Sequence, residues 1–204
     1  MSYSNFSLEK LKAQFDLTIR QERELYSDVE GIGVSHLLKE TLKENYPLAI
    51  AIHTEKARSE MIVAPVLIEI RRQLNHKVSL FSGVEFNVDR KRDLKGVCDF
   101  LFCLSPEQLL INAPVLTIVE AKNDNIKAGI PQCIAEMEAA RIFNLQKENN
   151  IPVIYGVVTT GTSWQFLRLS NQVAEIDLID YHINDLEKIV GIIVSFFPSL
   201  KVES

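Results

Sequence analysis

The sequence predicts an α/β fold, a mixed β-sheet flanked by helices with extra helices at its N-terminal end, and three observations predict it. Helical spacing of apolar residues dominates the chain up to residue 76. Short apolar runs rich in Val, Ile and Phe follow at 78–89, 96–104 and 115–123. A helical run at 131–146 then separates the last of these from another apolar run at 152–159, the strand, helix, strand order of a parallel crossover.

Taken in order, Leu8, Leu11, Phe15 and Ile19 recur at helical spacing between charges, so 7–26 reads as an amphipathic helix capped by Ser7. Residues 34–45 read as a second helix and 47–53 as a short apolar stretch. The helical pattern resumes over 54–76, where Pro65 either kinks the helix or begins a new one, because it lacks an N–H and suits a first turn. Residues 78–89 and 96–104 read as a hairpin with a charged tip, and 105–113 as a short helical turn. The run 115–123 is apolar on both alternating faces, as a buried strand must be. Alternation at 164–169 pairs that segment with 152–159 across a turn at 160–163, and 185–197 closes the chain as a helix. We read one domain: an N-terminal helical region, 1–53, packed on a core spanning 54–204.

Composition narrows the function classes. Hydrophobic residues make up 47% of the chain and charged residues 24%, which is enough to bury a core. The N-terminus has neither the basic start nor the apolar run of a secretory signal, and the longest apolar runs fall short of the roughly 18 residues a membrane span requires. Three cysteines, Cys98, Cys103 and Cys133, form no CxxC pair, which argues against a disulfide framework and a thiolate zinc site and fits a reducing cytoplasm. The net charge of −5 is unfavourable for binding phosphate, so the distribution matters more than the sum. Only 61–127 is not net acidic, and within it Arg90, Lys91, Arg92 and Lys95 crowd the hairpin tip.

The chemistry-bearing residues follow from strand context. An acid two residues before a lysine occurs at Asp89, Asp93 and Glu120, about what chance gives. Glu120 differs because an apolar run precedes it on a strand, so Glu120 and Lys122 must share a face. Asp99 lies inside another apolar run, on a strand expected beside that of Glu120. A carboxylate at the end of a buried strand needs a partner, since desolvating it alone is costly. Two carboxylates can hold Mg²⁺, or Mn²⁺ in its place, through oxygen, and the ion lowers the pKa of bound water. Lys122 supplies a point charge for the attacking water and the growing negative charge on phosphorus. The carbonyl of Ala121 completes the expected ligand set.

With C-D-F at 98–100 and V-E-A-K at 119–122, the chain resembles the PD-(D/E)XK nuclease superfamily, nearest to the N-terminal nuclease domains of type I restriction subunits. The resemblance spans 64–169 and implies a restriction-endonuclease-like core and a Mg²⁺-dependent nuclease acting on DNA ahead of RNA. It implies that Glu69, on the helix before the first strand, is a further metal ligand, and that Gln132 positions a phosphate or water. Two departures stand out: Cys98 replaces the Pro of the family's name, and Glu136 stands where a Tyr often follows the Gln.

Each residue also has a plainer reading. Glu69 can pair with Arg72 or Gln73 along one helix face. Asp99, Glu120 and Lys122 can form a partly buried ion pair, and the tip cations can be a solvated turn. His36, His53, His76 and His182 are too scattered for a zinc site, and Cys133 has no nearby His to activate it. The competing function is a catalytically inactive binding or assembly module that retains the nuclease-like fold. The partners expected are nucleic acid and no membrane, with self-association into a homo-oligomer left open.

Overall fold

A computed structural model describes residues 2–200. Its centre is a mixed seven-stranded sheet in the order β1-β7-β6-β5-β4-β3-β2. The strands are β1 (Thr18–Arg20), β2 (Ser79–Glu85), β3 (Val97–Cys103), β4 (Val115–Ala121), β5 (Val153–Thr159), β6 (Ser163–Ser170) and β7 (Val173–His182). The helices are α1 (Leu8–Phe15), α2 (His36–Ile52), α3 (Glu55–Arg58), α4 (Ala64–Gln73), α5 (Ile126–Gln146) and α6 (Leu186–Ser195). Pairing is antiparallel throughout except at β4 with β5 and at β1 with β7. The four strands expected from the hairpin and the crossover therefore lie side by side, and β4-α5-β5 is parallel.

The sheet separates two apolar layers. One holds Leu11 and Phe15 of α1 and Cys133, Ile134 and Met137 of α5, against Leu101, Ile118 and Val158. The other holds Leu38 and Leu42 of α2, Val66 and Ile70 of α4 and Ile189 to Val194 of α6, against Phe102, Val119 and Trp164. Burial of this kind, at roughly 25 cal/mol per Å² of apolar surface, is the main favourable contribution to folding. Cys98, Cys103 and Cys133 are buried free thiols. Among the described residues no helix is long and apolar enough to cross a membrane.

Four expectations need correction. The N-terminal helix stops at Phe15, where Asp16 takes a left-handed conformation (φ 55°), and the chain then enters the sheet as β1 instead of running helical to 26. Residues 1–53 are thus not wholly helical. Helix α2 continues through Pro47 to Ile52, absorbing the apolar stretch read as separate. Residues 105–113 form no helical turn. Strand β7 was not foreseen: its run E-I-D-L-I-D carries three acids, which depress strand propensity.

Pro65 neither breaks the helical path nor leaves it regular. A π-helical segment, Ser59–Val63, joins α3 to α4, with Pro65 in the first turn of α4. A proline there cannot donate to the carbonyl four residues back, Met61. Asn45 Nδ2 of α2 donates to that carbonyl instead, at 3.1 Å. The wide turn sits beside the cleft described next.

Candidate active site

Strands β3 and β4 separate at one end of the sheet, and Asp99 marks the fork. The antiparallel register pairs Leu101 with Ile118 and Phe100 with Val119, so the next position sets Asp99 opposite Glu120. There the ladder ends, and Asp99 Oδ2 accepts the N–H of Ala121 at 2.8 Å in place of a main-chain carbonyl. A cleft of about 260 Å³ opens at this fork, lined by Asp99, Phe100 and Ala121 and by Glu55, Ser59 and Ser82 among others.

Glu120 and Lys122 share the face of β4 that meets α5. Lys122 Nζ donates to Glu120 Oε1 at 2.5 Å and to Gln132 Oε1 at 3.4 Å, and Gln132 Nε2 donates to Glu136 Oε1 at 3.1 Å. A line of polar groups thus runs from β4 along α5. Two glycines let the helix approach closely enough to form it. A Cβ on Gly129 would lie 2.7 Å from Val158 Cγ1 and 3.0 Å from Lys122 Cγ; one on Gly156 would lie 2.5 Å from Met137 Sδ. At the other end of α5, Asn144 clamps the start of β4, its Oδ1 accepting from Val115 N at 2.8 Å and its Nδ2 donating to Val115 O at 2.7 Å.

The electrostatics are unbalanced. Glu120 is 1% exposed, and among the described residues neither its Oε2 nor Glu136 Oε2 has a hydrogen-bond partner. Burial, followed by the charge of Asp99, pushes Glu120 up to about 8, despite the opposing effect of Lys122. Burial also raises Asp99, against the Ala121 hydrogen bond and the Lys122 charge, and raises Glu136 well above the usual range, helped by Glu120. Burial opposes the Lys122 ammonium, yet Glu120, then Glu55 and Asp99, outweigh it and hold Lys122 above its ordinary value. One ammonium thus faces several carboxyl groups in a partly dry place, the arrangement in which a further cation is most stabilising.

Asp99, Glu120, Ala121, Lys122 and Gln132 therefore come together as the sequence suggested. Glu69 does not join them. It is 2% exposed on α4, its Oε1 accepts from Ser35 N (2.9 Å) and Gln73 Nε2 (3.0 Å), and its Oε2 accepts from Ser35 Oγ (2.7 Å) and Arg72 Nη1 (3.0 Å). Ser35 is the N-cap of α2, so Glu69 fastens that cap, as the plainer reading had it. The acid that does line the cleft from the preceding helix is Glu55, whose charge acts on Asp99, Glu120 and Lys122. The sequence reading missed it, because a first-turn acid behind a Thr54 cap looks like any helix start. Oxygens suited to a hard cation belong to Asp99, Glu120 and Ala121. Among the described residues, no three His, Cys, Asp or Glu side chains stand together as a ready metal group.

The hairpin tip is not part of this cleft. Arg90, Lys91 and Arg92 form a single 3-10 turn whose N-cap, Asp89, accepts from Lys91 N (3.0 Å) and Arg92 N (3.1 Å) and pairs with Arg92 Nε at 2.7 Å. Arg92 also covers the Phe15 ring, Lys10 pairs with Asp93 at 3.2 Å, and the Lys95 carbonyl accepts from Tyr3 N at 3.2 Å. Arg92 is thus engaged in holding the tip to the α1 side, while Arg90 and Lys91 remain exposed.

Set against models of protein families and against curated proteins by sequence, the chain matches none.

Proposed function

We propose that the protein is a nuclease that uses a divalent cation, Mg²⁺ or Mn²⁺, to hydrolyse phosphodiester bonds, DNA ahead of RNA, on a restriction-endonuclease-like core. The observation that carries this reading is Glu120: a buried carboxyl with one oxygen on Lys122 and the other without a partner, opposite Asp99 at the fork of two strands. Buried polar groups are satisfied nearly everywhere in folded proteins, so an orphan charge-bearing oxygen beside Asp99, which lines the cleft, is a signal of function.

Asp99, Glu120 and the Ala121 carbonyl would hold the cation, with Glu55 reaching toward it from α3 across the cleft. Bound there, the ion would polarise a phosphate and favour hydroxide at neutral pH. Lys122 carries positive charge toward the attacking water and the phosphate oxygens, and Gln132 fixes where that charge lies. Ser59 and Ser82 line the same cleft and offer hydroxyl donors to the phosphate.

Plasmid nicking in Mg²⁺ or Mn²⁺, with EDTA as control, tests the reading. Cleavage by the parent that is abolished by EDTA and by Asp99→Asn supports it, and intact plasmid at high enzyme sinks it. A specific observation favours the second reading, an inactive binding or assembly module: Lys122 already takes one oxygen of Glu120, so a structural ion pair accounts for that oxygen without a metal. Nucleic-acid binding without cleavage would point there.

A further inference from the structure

We propose that Glu136 is a positioning residue: it fixes the orientation of the Gln132 side chain and, through it, the place of the Lys122 ammonium. The inference rests on the reading of Lys122 as the group that faces the reaction, and its structural half stands apart from that reading.

The directions of the hydrogen bonds compel the order. An ammonium only donates, so the atom of Gln132 that meets Lys122 Nζ at 3.4 Å must be its amide oxygen. The amide nitrogen then points the other way, and a group that accepts must stand there. Glu136 Oε1 is that group, at 3.1 Å and one helical turn along α5. Were the amide turned over, its two N–H groups would face an ammonium, which has nothing to accept with.

Glu136 has no other evident reason to be where it is. It is fully buried, has no ion-pair partner among the described residues, and lies on α5 beside Cys133, Ala135, Met137 and Ala139, all fully buried in the same apolar layer. An apolar residue would fill that position without the cost of burying a carboxyl. What an apolar residue cannot do is accept from Gln132. Glu136, itself fully buried, presents a fixed acceptor to the amide nitrogen of the half-buried Gln132, which favours one orientation of that amide. The Gly129 contact completes the arrangement, since the Lys122 stem lies against α5 with no room for a Cβ beneath it.

The full chain carrying Glu136→Met, Glu136→Gln and Gln132→Leu tests this with two readouts. In the parent and in Glu136→Gln, which keeps an acceptor, the Gln132 side-chain amide should give one protected pair of NMR resonances. In Glu136→Met its exchange protection should fall about tenfold, and the Lys122 Nζ resonance should move in the same direction as in Gln132→Leu. In nicking assays Glu136→Met should lower kcat about tenfold with KM unchanged within roughly twofold, and Glu136→Gln should restore it. If Gln132→Leu moves the Lys122 resonance and Glu136→Met does not, Glu136 has no positioning role. If Glu136→Met fails to fold, a Glu136→Gln variant in which the Gln132 amide loses protection overturns the proposal. A parent that cannot nick DNA would remove the nuclease reading and leave the resonance comparison intact.

Discussion

Two glutamates on opposite sides of the sheet are almost equally covered, Glu69 at 2% exposure and Glu120 at 1%, with Glu120 the more deeply set, and they have opposite chemistry. Ser35, Arg72 and Gln73 satisfy both oxygens of Glu69, and although burial alone would raise it, those donors bring it below its ordinary value. Glu120 keeps one oxygen without a partner and is raised to about 8. The difference teaches that burial of an acid says little by itself. A satisfied buried acid fastens structure, here the cap of α2, while an unsatisfied one beside a cleft and a second acid has its stability cost offset only by something that binds.

The largest contrast should appear in cleavage. Asp99→Asn and Glu120→Gln should each reduce nicking per folded molecule on the order of 10² to 10³-fold, as loss of a charged group at a reacting phosphate does. Glu69→Gln should leave it within about twofold. Equal losses at Glu69 and Glu120 would break the distinction.

In stability the order reverses. Glu69→Ala strands the Ser35 N–H and hydroxyl, Gln73 and Arg72, and should cost about 3 kcal/mol, lowering Tm by about 6 to 12 °C. Glu120→Gln should stabilise the metal-free protein at pH 8 and have little effect at pH 5. Urea unfolding at the two pH values reads both effects.

How much of this could be read from sequence depended on whether a residue's neighbours were local. Glu120 and Lys122 share a face because strands alternate, and Asp99 sat in an apolar run, so that set was legible from spacing alone. Glu69 carried two readings, because its pairing with Arg72 and Gln73 could be seen at helical spacing while its contacts to Ser35, far back in the chain, could not. Strand β7 was hidden because its partners, too, are distant. Asp177 within it is fully buried, yet it accepts from Leu25 N at 3.1 Å and from Tyr181 Oη at 3.3 Å. In the sheet β7 pairs antiparallel with β6 along most of its length, and β1 of the N-terminal region covers its other edge in parallel. Glu136 was visible as a departure from a familiar pattern, but its partner Gln132 gives it meaning only once α5 is placed.

A smaller effect sharpens the Glu120 side of the comparison. Gly129→Ala adds a Cβ 2.7 Å from Val158 Cγ1 and 3.0 Å from Lys122 Cγ. Overpacking of about 1 to 3 kcal/mol, set against up to 1 kcal/mol of helix propensity gained, should leave a modest loss in Tm with a clear loss of nicking. A variant as active and as stable as the parent would mean that the close approach of α5 is not needed. The smallest effect is expected at the hairpin tip. Arg90→Ala with Lys91→Ala should change stability by under about 0.5 kcal/mol. If these cations grip phosphate, the log-log salt slope of DNA binding should flatten by roughly one unit per lost contact; an unchanged slope makes the tip a fold element and nothing more.

The most direct measurement is unfolding free energy against pH from 5 to 9, with and without Mg²⁺ or Mn²⁺. Below pH 4.5 Glu120 is protonated whether folded or not; between that value and about 8 the folded chain keeps a proton that the unfolded chain releases. Metal-free stability should therefore fall as pH rises through that window, with Asp99 and Glu136, raised in the same direction, adding to the slope. A cation held by Asp99 and Glu120 binds the ionised form, so Mg²⁺ or Mn²⁺ should flatten the fall, most strongly above pH 7, and Asp99→Asn should abolish that flattening. Superimposable curves with and without the metal, in a parent that still shows the fall, would contradict a cation site at this fork.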